Sequence, residues 1–444
     1  MIKETQMYFR PIQYLGAKTR TLDVITSECQ RLYKKNTFVL DMFSGSSIVS
    51  QSIFSNGMDV IANDILQFCS DMSNSLLNVN KGKCSSELAK AGIAEAKKYC
   101  LNSELYATFE EYIVSEQEHL QTRNLHGLKE LYDKIPQIGK PSSKTKQIQY
   151  IRGHLGESAI RNVPLVANYY AGTYFGIKQA IEIDILRNYI ELFYEEKQDY
   201  WVYTTMLTAL YSTLSTIVHS AGKHFAQPIA IDVTEDNKIT NQRLFENRKF
   251  SVVELFSELL LKTISKSDEN KICSGCISTC LDVQGIPFDD LMDTKEVSVV
   301  YADPPYTAQQ YSRFYHIPEV VRSYRYPILQ VHRGHITQGI YPNNRFKSDF
   351  CSKSRAIMGF EKIFEITRKK HANLILSYSE SQNDETGNER MVSKKEILML
   401  AKKYLPECDV KQMGFGFDYK QLNSSSKKVE NKEDKEFLLI FERK

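Results

Sequence analysis

The tetrapeptide Asp303-Pro304-Pro305-Tyr306 follows directly on the apolar run Val297-Ser298-Val299-Val300-Tyr301-Ala302. It offers one carboxylate, a proline carbonyl that no ladder uses, and an aromatic face. Together these suit a flat base that carries an exocyclic amine. Asp303 and the Pro304 carbonyl can accept the two amine hydrogens, and Tyr306 can stack on the ring. Two successive prolines neither extend a ladder nor enter a helix interior, so the chain turns where the run ends. Asp-Pro-Pro is also ordinary turn chemistry, and the motif gains its meaning from the residues around it.

Asp41-Met42-Phe43-Ser44-Gly45-Ser46-Ser47 stands between the apolar stretch Phe38-Val39-Leu40 and a helical stretch. Small residues let a ligand approach the backbone, and a helix start presents free N–H groups. The loop lacks the Gly-x-Gly-x-x-Gly of dinucleotide sites and the Lys-Ser/Thr of a P-loop, which argues against hydride and phosphoryl transfer. A plain helix cap is the alternative. Asn63-Asp64 ends the next apolar stretch, where many nucleotide-binding folds grip ribose hydroxyls, although Asn-Asp is also a common turn. Lys18, in Tyr14-Leu15-Gly16-Ala17-Lys18, suits a cofactor carboxylate or a DNA phosphate, or is a solvated surface lysine. Asp282 ends another short apolar stretch and suits an adenine amine, or else is a capping or loop aspartate. Cys273, Cys276 and Cys280 are spaced Cys-x2-Cys-x3-Cys without a fourth ligand at useful distance, so no metal site is expected.

Several basic segments fit a nucleic-acid backbone. Lys134, Lys140, Lys144 and Lys146 lie in a stretch, 134–150, without an acidic residue. Lys223, His224 and Gln227 lie in Gly222-Lys223-His224-Phe225-Ala226-Gln227-Pro228, where glutamine can read an adenine edge and lysine a phosphate. The same segment reads equally well as a helix terminus with Gly and Pro as stop signals. Residues 313–355 carry Arg313, Arg322, Arg325, Arg333, Arg345, Lys347, Lys353 and Arg355 among tyrosines and histidines. Such a stripe suits phosphate, and a solvated basic face is the alternative.

These groups need a scaffold. The pattern predicts a helix over 19–35, strands at 38–40 and 58–62, and further strands at 277–281, 297–302, 373–378, 410–415 and 437–441. Helices are expected at 355–370 and 393–404, and a flexible Ser/Lys/Glu-rich loop at 420–436. Between the two α/β blocks, long helical stretches dominate, such as 103–133, 178–197 and 200–219. The expected class is α/β, with one sheet built from residues 1–65 and 271–444 and interrupted by a mostly helical insertion at 66–270.

Composition sets outer bounds. The chain has 444 residues, 42% hydrophobic and 25% charged, as in an ordinary globular protein. A net charge of +3 is compatible with a local basic groove. The start at Met1–Gln6 has no apolar core behind it, and no run reaches membrane-spanning length. The nine cysteines are scattered, which suits reduced thiols in a cytoplasm.

The chain resembles the Dam-type, alpha-class adenine-N6 DNA methyltransferases. The pieces stand in that class's order: Tyr14-Leu15-Gly16-Ala17-Lys18, Asp41 to Ser46, Asn63-Asp64, a long insertion, Asp282, and Asp303-Pro304-Pro305-Tyr306. Gln310-Tyr311, Tyr315-His316 and Glu319 are similar to modification methylases of restriction systems, and Phe437 to Ile440 to the family's last strand. The second glycine usual in the cofactor loop is Ser47 here, and Val283 stands where a ring often follows the strand acid.

The resemblance implies a Rossmann-like S-adenosylmethionine-dependent methyltransferase sheet with an inserted target-recognition region. Tyr14, Gly16, Lys18, Asp41, Phe43, Ser44, Gly45, Asn63, Asp64 and Asp282 are then expected to bind S-adenosyl-L-methionine. Asp303, Pro304, Pro305 and Tyr306 are expected to be catalytic. Lys144, Lys146, Lys223, His224, Gln227, Gln310, Tyr311, Arg313 and Tyr315 are expected to meet the substrate. The implied partner is double-stranded DNA with a flipped-out adenine, in a restriction-modification or phage-defence setting, the former with a separately encoded restriction endonuclease as companion. RNA adenine methylation and a catalytically inactive DNA-binding protein of the same fold are the alternatives. Protein glutamine and cytosine-N4 methyltransferases are less similar, since they carry Asn and Ser where Asp303 stands.

Overall fold

In the computed structural model, the structure describes residues 8–234, 238–269, 275–380, 390–418 and 435–444. The expected loop at 420–436 and the chain start at Met1–Gln6 fall almost wholly outside these residues, as does Cys273.

Seven strands form the main sheet: β1 (Phe38–Asp41), β2 (Val60–Asn63), β3 (Cys276–Thr279), β4 (Val297–Ala302), β7 (Asn373–Glu380), β8 (Cys408–Asp418) and β9 (Lys435–Arg443). A separate hairpin is made of β5 (Val331–His332) and β6 (His335–Ile336). The order across the main sheet is β3-β2-β1-β4-β7-β9-β8. The first five run parallel, while β9 is antiparallel to both β7 and β8. All six residues of β4 are buried, which explains why all but Ser298 are apolar or aromatic: helices cover both faces of a central parallel strand. One face packs around Ile25, Ile53 and Leu438, the other around Phe288, Phe364 and Phe437.

The sheet grows outward from β1 through β2 to β3, and then restarts on the other side of β1 with β4 and β7. Ligands of open α/β sheets bind outside the carboxyl ends at such a reversal. Here it lies between β1 and β4, where Asp41 pairs in register with Tyr301. The acids Asp41 and Asp303 therefore leave adjacent strands at the same edge.

All seven expected strands are present. The helix expected over 103–133 divides into Leu105–Thr108, Glu110–Gln121 and Leu125–Lys134. Arg123 takes φ +52°, and Asn124 caps the last piece by accepting from the Gly127 N–H at 2.9 Å. Between β2 and β3 the described chain has no main-sheet strand. Two of its long helices, Ile177–Lys197 and Tyr200–Ile217, are buried on most sides, in another large core that includes Trp201. That core is joined to the segment after β4, because Arg322 pairs with the buried Asp71 at 2.6 Å. Among the described residues, no helix is long and apolar enough to cross a membrane.

Candidate active site at the reversal of the sheet

β4 delivers Asp303 to the edge of a cavity of about 990 Å³, counted to its open mouth. Lys18 Nζ sits 2.6 Å from Asp303 Oδ2, 3.0 Å from Glu436 Oε1 on β9, and donates to the Gly16 carbonyl at 3.1 Å. An ammonium has three N–H donors, and Lys18 has three acceptors. It is buried and committed, so it stands against the strand-end carboxylate rather than offering itself to a cofactor carboxylate or a phosphate. Burial disfavours its charge, but Asp303 and then Glu436 outweigh burial and hold its pKa well above the usual lysine range. Asp303 is itself raised, by burial first. Lys18 pulls it down and Glu436 pushes it back up. Its second oxygen, Oδ1, is shut off from water and makes no hydrogen bond of ordinary geometry among the described residues. A buried acceptor without a well-placed donor is costly, and the Ser377 hydroxyl nearby offsets part of that burial by lowering the Asp303 pKa.

Pro305 lines the cavity beside Asp303, but Pro304 and Tyr306 are not among its lining residues. The expected open aromatic face at Tyr306 needs correction. The ring is buried, edge-on to Tyr378 at 5.5 Å, with the Arg390 guanidinium 5.0 Å from its centroid. The turn sends the ring toward β7, where its apolar area is covered. Arg390 donates to the Ser379 carbonyl at 2.8 Å, and Met391 N–H to the Tyr306 carbonyl at 3.1 Å, so this segment braces the turn from behind.

The loop after β1 forms the opposite wall. Gly45 takes φ +50°, and a Cβ there would meet the Tyr14 ring at 2.7 Å, so only glycine allows the close approach. Asp64 accepts from the Gly45 N–H and the Leu66 N–H, each at 2.9 Å. Burial lifts its pKa to about 6 against those bonds. Asp41 is raised by burial to about 7, against the hydrogen bond from Ser50 at 2.6 Å. Its Oδ1 has no partner among the described residues. Asn63 lines the cavity, but its amide ties strand ends together. It donates to the Met42 and Leu281 carbonyls and accepts from the Thr279 hydroxyl and the Leu281 N–H. Asp282 lines the cavity and accepts from the Gln284 N–H at 3.0 Å. Tyr14, Gly16, Phe43 and Ser44 line it as well. Every expected cofactor residue is thus brought to one cavity. The aromatic wall in doubt at Val283 comes from Phe350, which meets Phe43 edge-on at 5.2 Å. Neither Phe350 nor Glu436 carried a local sequence signal, since each arrives only through the fold.

The expected substrate residues divide. Lys144, Lys146, Lys223, Gln227 and Arg313 are exposed. Gln310 and Tyr311 line the cavity. The Gln310 amide is spent on both backbone groups of Ser348, and Tyr311 donates to the Leu15 carbonyl at 3.3 Å. His224 and Tyr315 are corrections. His224 is buried, edge-on to Phe314 at 4.9 Å. Tyr315 is fully buried, stacked on Tyr14 at 4.7 Å, and accepts from the Leu15 N–H at 2.7 Å. Apolar packing claims both rings, and Tyr315 holds the Tyr14 loop in place. Lys140, in the lysine-rich stretch, donates to the carbonyls of Tyr132, Asp133 and Ile135 and so caps a helix end. Among the described residues, no group of three or more His, Cys, Asp or Glu could hold a metal ion. The Cys276 and Cys280 thiols lie against the Leu77 and Ile65 carbonyls.

Comparison with known proteins agrees with the resemblance seen in the sequence. Residues 14–163 match the family model of D12 class N6 adenine-specific DNA methyltransferases. The chain is similar to modification methylase StsI of Streptococcus sanguinis, 23% identical over 98% of this chain and 52% of that protein. It is similar to type II methyltransferase M.FokI of Planomicrobium okeanokoites, 20% identical over 83% of this chain and 44% of that protein. A shorter match, 28% identical over 34% of this chain and 22% of the relative, is to modification methylase LlaI of Lactococcus lactis subsp. lactis. The chain spans about half the length of the first two relatives.

Proposed function

We propose that the chain transfers a methyl group from S-adenosyl-L-methionine to the N6 amine of an adenine flipped out of double-stranded DNA, at a specific sequence. The observation that carries this is the strand-end Asp303 at the reversal of the sheet, with one carboxylate oxygen paired to Lys18 and the other buried with no hydrogen bond of ordinary geometry among the described residues. The adenine amine is a poor nucleophile because its lone pair is delocalised into the ring. Asp303 Oδ1 and the Pro304 carbonyl accept its hydrogens and favour a tetrahedral nitrogen. Lys18 favours the ionised form of Asp303 against burial and holds its carboxylate in place, so the acceptor is oriented before the base arrives. Tyr306, with its ring covered by Tyr378 and Arg390, braces the turn that carries Asp303.

The residues fit the donor. Gly45 lets the Tyr14 ring close against the loop, where a Cβ would clash, and both residues line the cavity. The acids Asp64 and Asp282 stand where ribose hydroxyls and an adenine amine would lie, and Phe43, Val283 and Phe350 supply apolar walls. When bound, S-adenosyl-L-methionine supplies an electrophilic sulfonium methyl, so alignment by the protein provides most of the remaining catalysis. On this proposal the sheet is Rossmann-like, residues 66–270 are the inserted target-recognition region, and the target base leaves the stack to reach Asp303. The setting is restriction-modification in the cytoplasm, with a cognate endonuclease encoded separately.

The test is Asp303→Ala under single-turnover conditions on mixed-sequence duplex DNA. Calorimetry should show cofactor affinity kept, while methyl transfer falls at least a hundredfold. A variant that retains more than a tenth of the wild-type rate would remove Asp303 from the chemistry.

A further inference from the structure

The hairpin of β5 and β6 is absorbed neither by the main sheet nor by the cavity. Val331 pairs with Ile336 and His332 with His335, closed by Arg333 at φ +51° and Gly334 at φ +80°. Two left-handed residues make the tight turn that suits a two-residue hairpin. Gly334 takes this conformation freely, whereas an arginine there is strained, and strain of this kind collects where a side chain has work to do. Residues 331–335 are all exposed. From 324 to 348 the chain holds four Arg and Lys residues and no Asp or Glu.

The hairpin is rigidly rooted. Its stem continues through Gln330 N–H to the Tyr341 carbonyl at 2.7 Å and Asn343 N–H to the Ile328 carbonyl at 2.8 Å. Arg345 donates to Gln330 across the stem at 2.8 Å. On one side Tyr174 and Tyr341 bond the stem to the helical region. Tyr174 donates to the carbonyls of Gly339 and Phe225, and Tyr341 to that of Ala226, next to exposed Gln227. On the other side Ser312 donates to the Phe346 carbonyl at 2.5 Å and Ser348 N–H to Gln310 at 2.8 Å. Phe346 and Ser348 themselves line the active-site cavity. Ile336 Cδ1 lies 3.7 Å from where a Cβ on Gly139 would be, in the loop that leads to exposed Lys144 and Lys146. The tip is therefore held at a fixed offset from the cavity, between two cationic segments.

We propose that this hairpin enters the major groove of double-stranded DNA beside the target adenine, with Arg333 contacting a guanine edge, which presupposes the duplex-DNA activity proposed above. The major groove admits a two-stranded ribbon, and arginine paired to the O6 and N7 of guanine is the commonest specific contact there. A basic ribbon without a carboxylate is complementary to that groove, and Lys144 and Lys146 are placed for flanking phosphates.

Arg333→Gly in the full chain tests it, because glycine suits the left-handed turn and leaves the hairpin intact. Wild type and variant are compared on a randomised duplex library by sequencing methylated adenines, with binding measured against salt. The expected result is a roughly tenfold or greater loss of preference for guanine at one position, the other positions unchanged, and cofactor affinity without DNA unchanged. Identical preferences would overturn the proposal. So would a uniform loss on all sequences with a salt slope lower by about one, the signature of a phosphate contact. A wild-type chain that methylates no duplex would instead remove the parent activity, and the hairpin's role with it.

Discussion

Ser47 holds φ +63° at the start of the helix Ile48–Ser55, and its buried hydroxyl has no hydrogen-bond partner among the described residues. This is the position where similar methyltransferases carry glycine, and the left-handed backbone is the physical reason. Relief of strain of about 1–2 kcal/mol is offset by about 0.5–1 kcal/mol of extra chain freedom in the unfolded state. Ser47→Gly should therefore raise stability by about 0.5–1 kcal/mol in urea unfolding, and a fall would mean that the hydroxyl is engaged. The cavity residues that follow β1, β2 and β4 were legible because each sits in a local motif at a strand end. The ion pairs of Lys18 were not legible because its partners, Asp303 and Glu436, come from strands that only the finished sheet brings together. His224 and Tyr315 looked available because a polar or aromatic type says nothing of burial.

At the scale of elements, strands announced themselves as short apolar runs with turn residues after them, and their limits were read within a few residues. The pairing was not legible: nothing local in Phe437–Phe441 shows that β9 lies between β7 and β8. The lysine-rich segment likewise looked uniform and is not. Lys144 and Lys146 are exposed, whereas Lys140 caps the helix Leu125–Lys134 through three carbonyls. Lys144→Ala and Lys146→Ala should each weaken all duplexes alike and lower the salt slope of binding by about one. Lys140→Ala should lower thermal stability and leave that slope unchanged. The reverse pattern, read from fluorescence-anisotropy titrations at several salt concentrations, would reassign the three lysines.

The molecule buries several acids. Burial is the first cause that lifts Asp41 and Glu319 to about 7 and Asp64 and Asp184 to about 6. An acid raised in the folded state holds its proton there while the unfolded chain has released it. Its contribution is thus complete below about pH 4 and is lost as pH rises through 6 to 7. Stability should fall between pH 5 and pH 8, on the order of a few kcal/mol in sum, and Asp41→Asn should shrink the difference. Urea midpoints that stay level or rise over that interval would contradict it. Asp41 and Asp64 line the cavity from which the proposed activity follows, and the identity of the product tests that activity most directly. Mixed-sequence duplex DNA incubated with the full chain and S-adenosyl-L-methionine, then mapped by long-read methylation sequencing, should show N6-methyladenine in one sequence context and none with Asp303→Ala. Methyl groups on cytosine, or the same adenine product from Asp303→Ala, would contradict it.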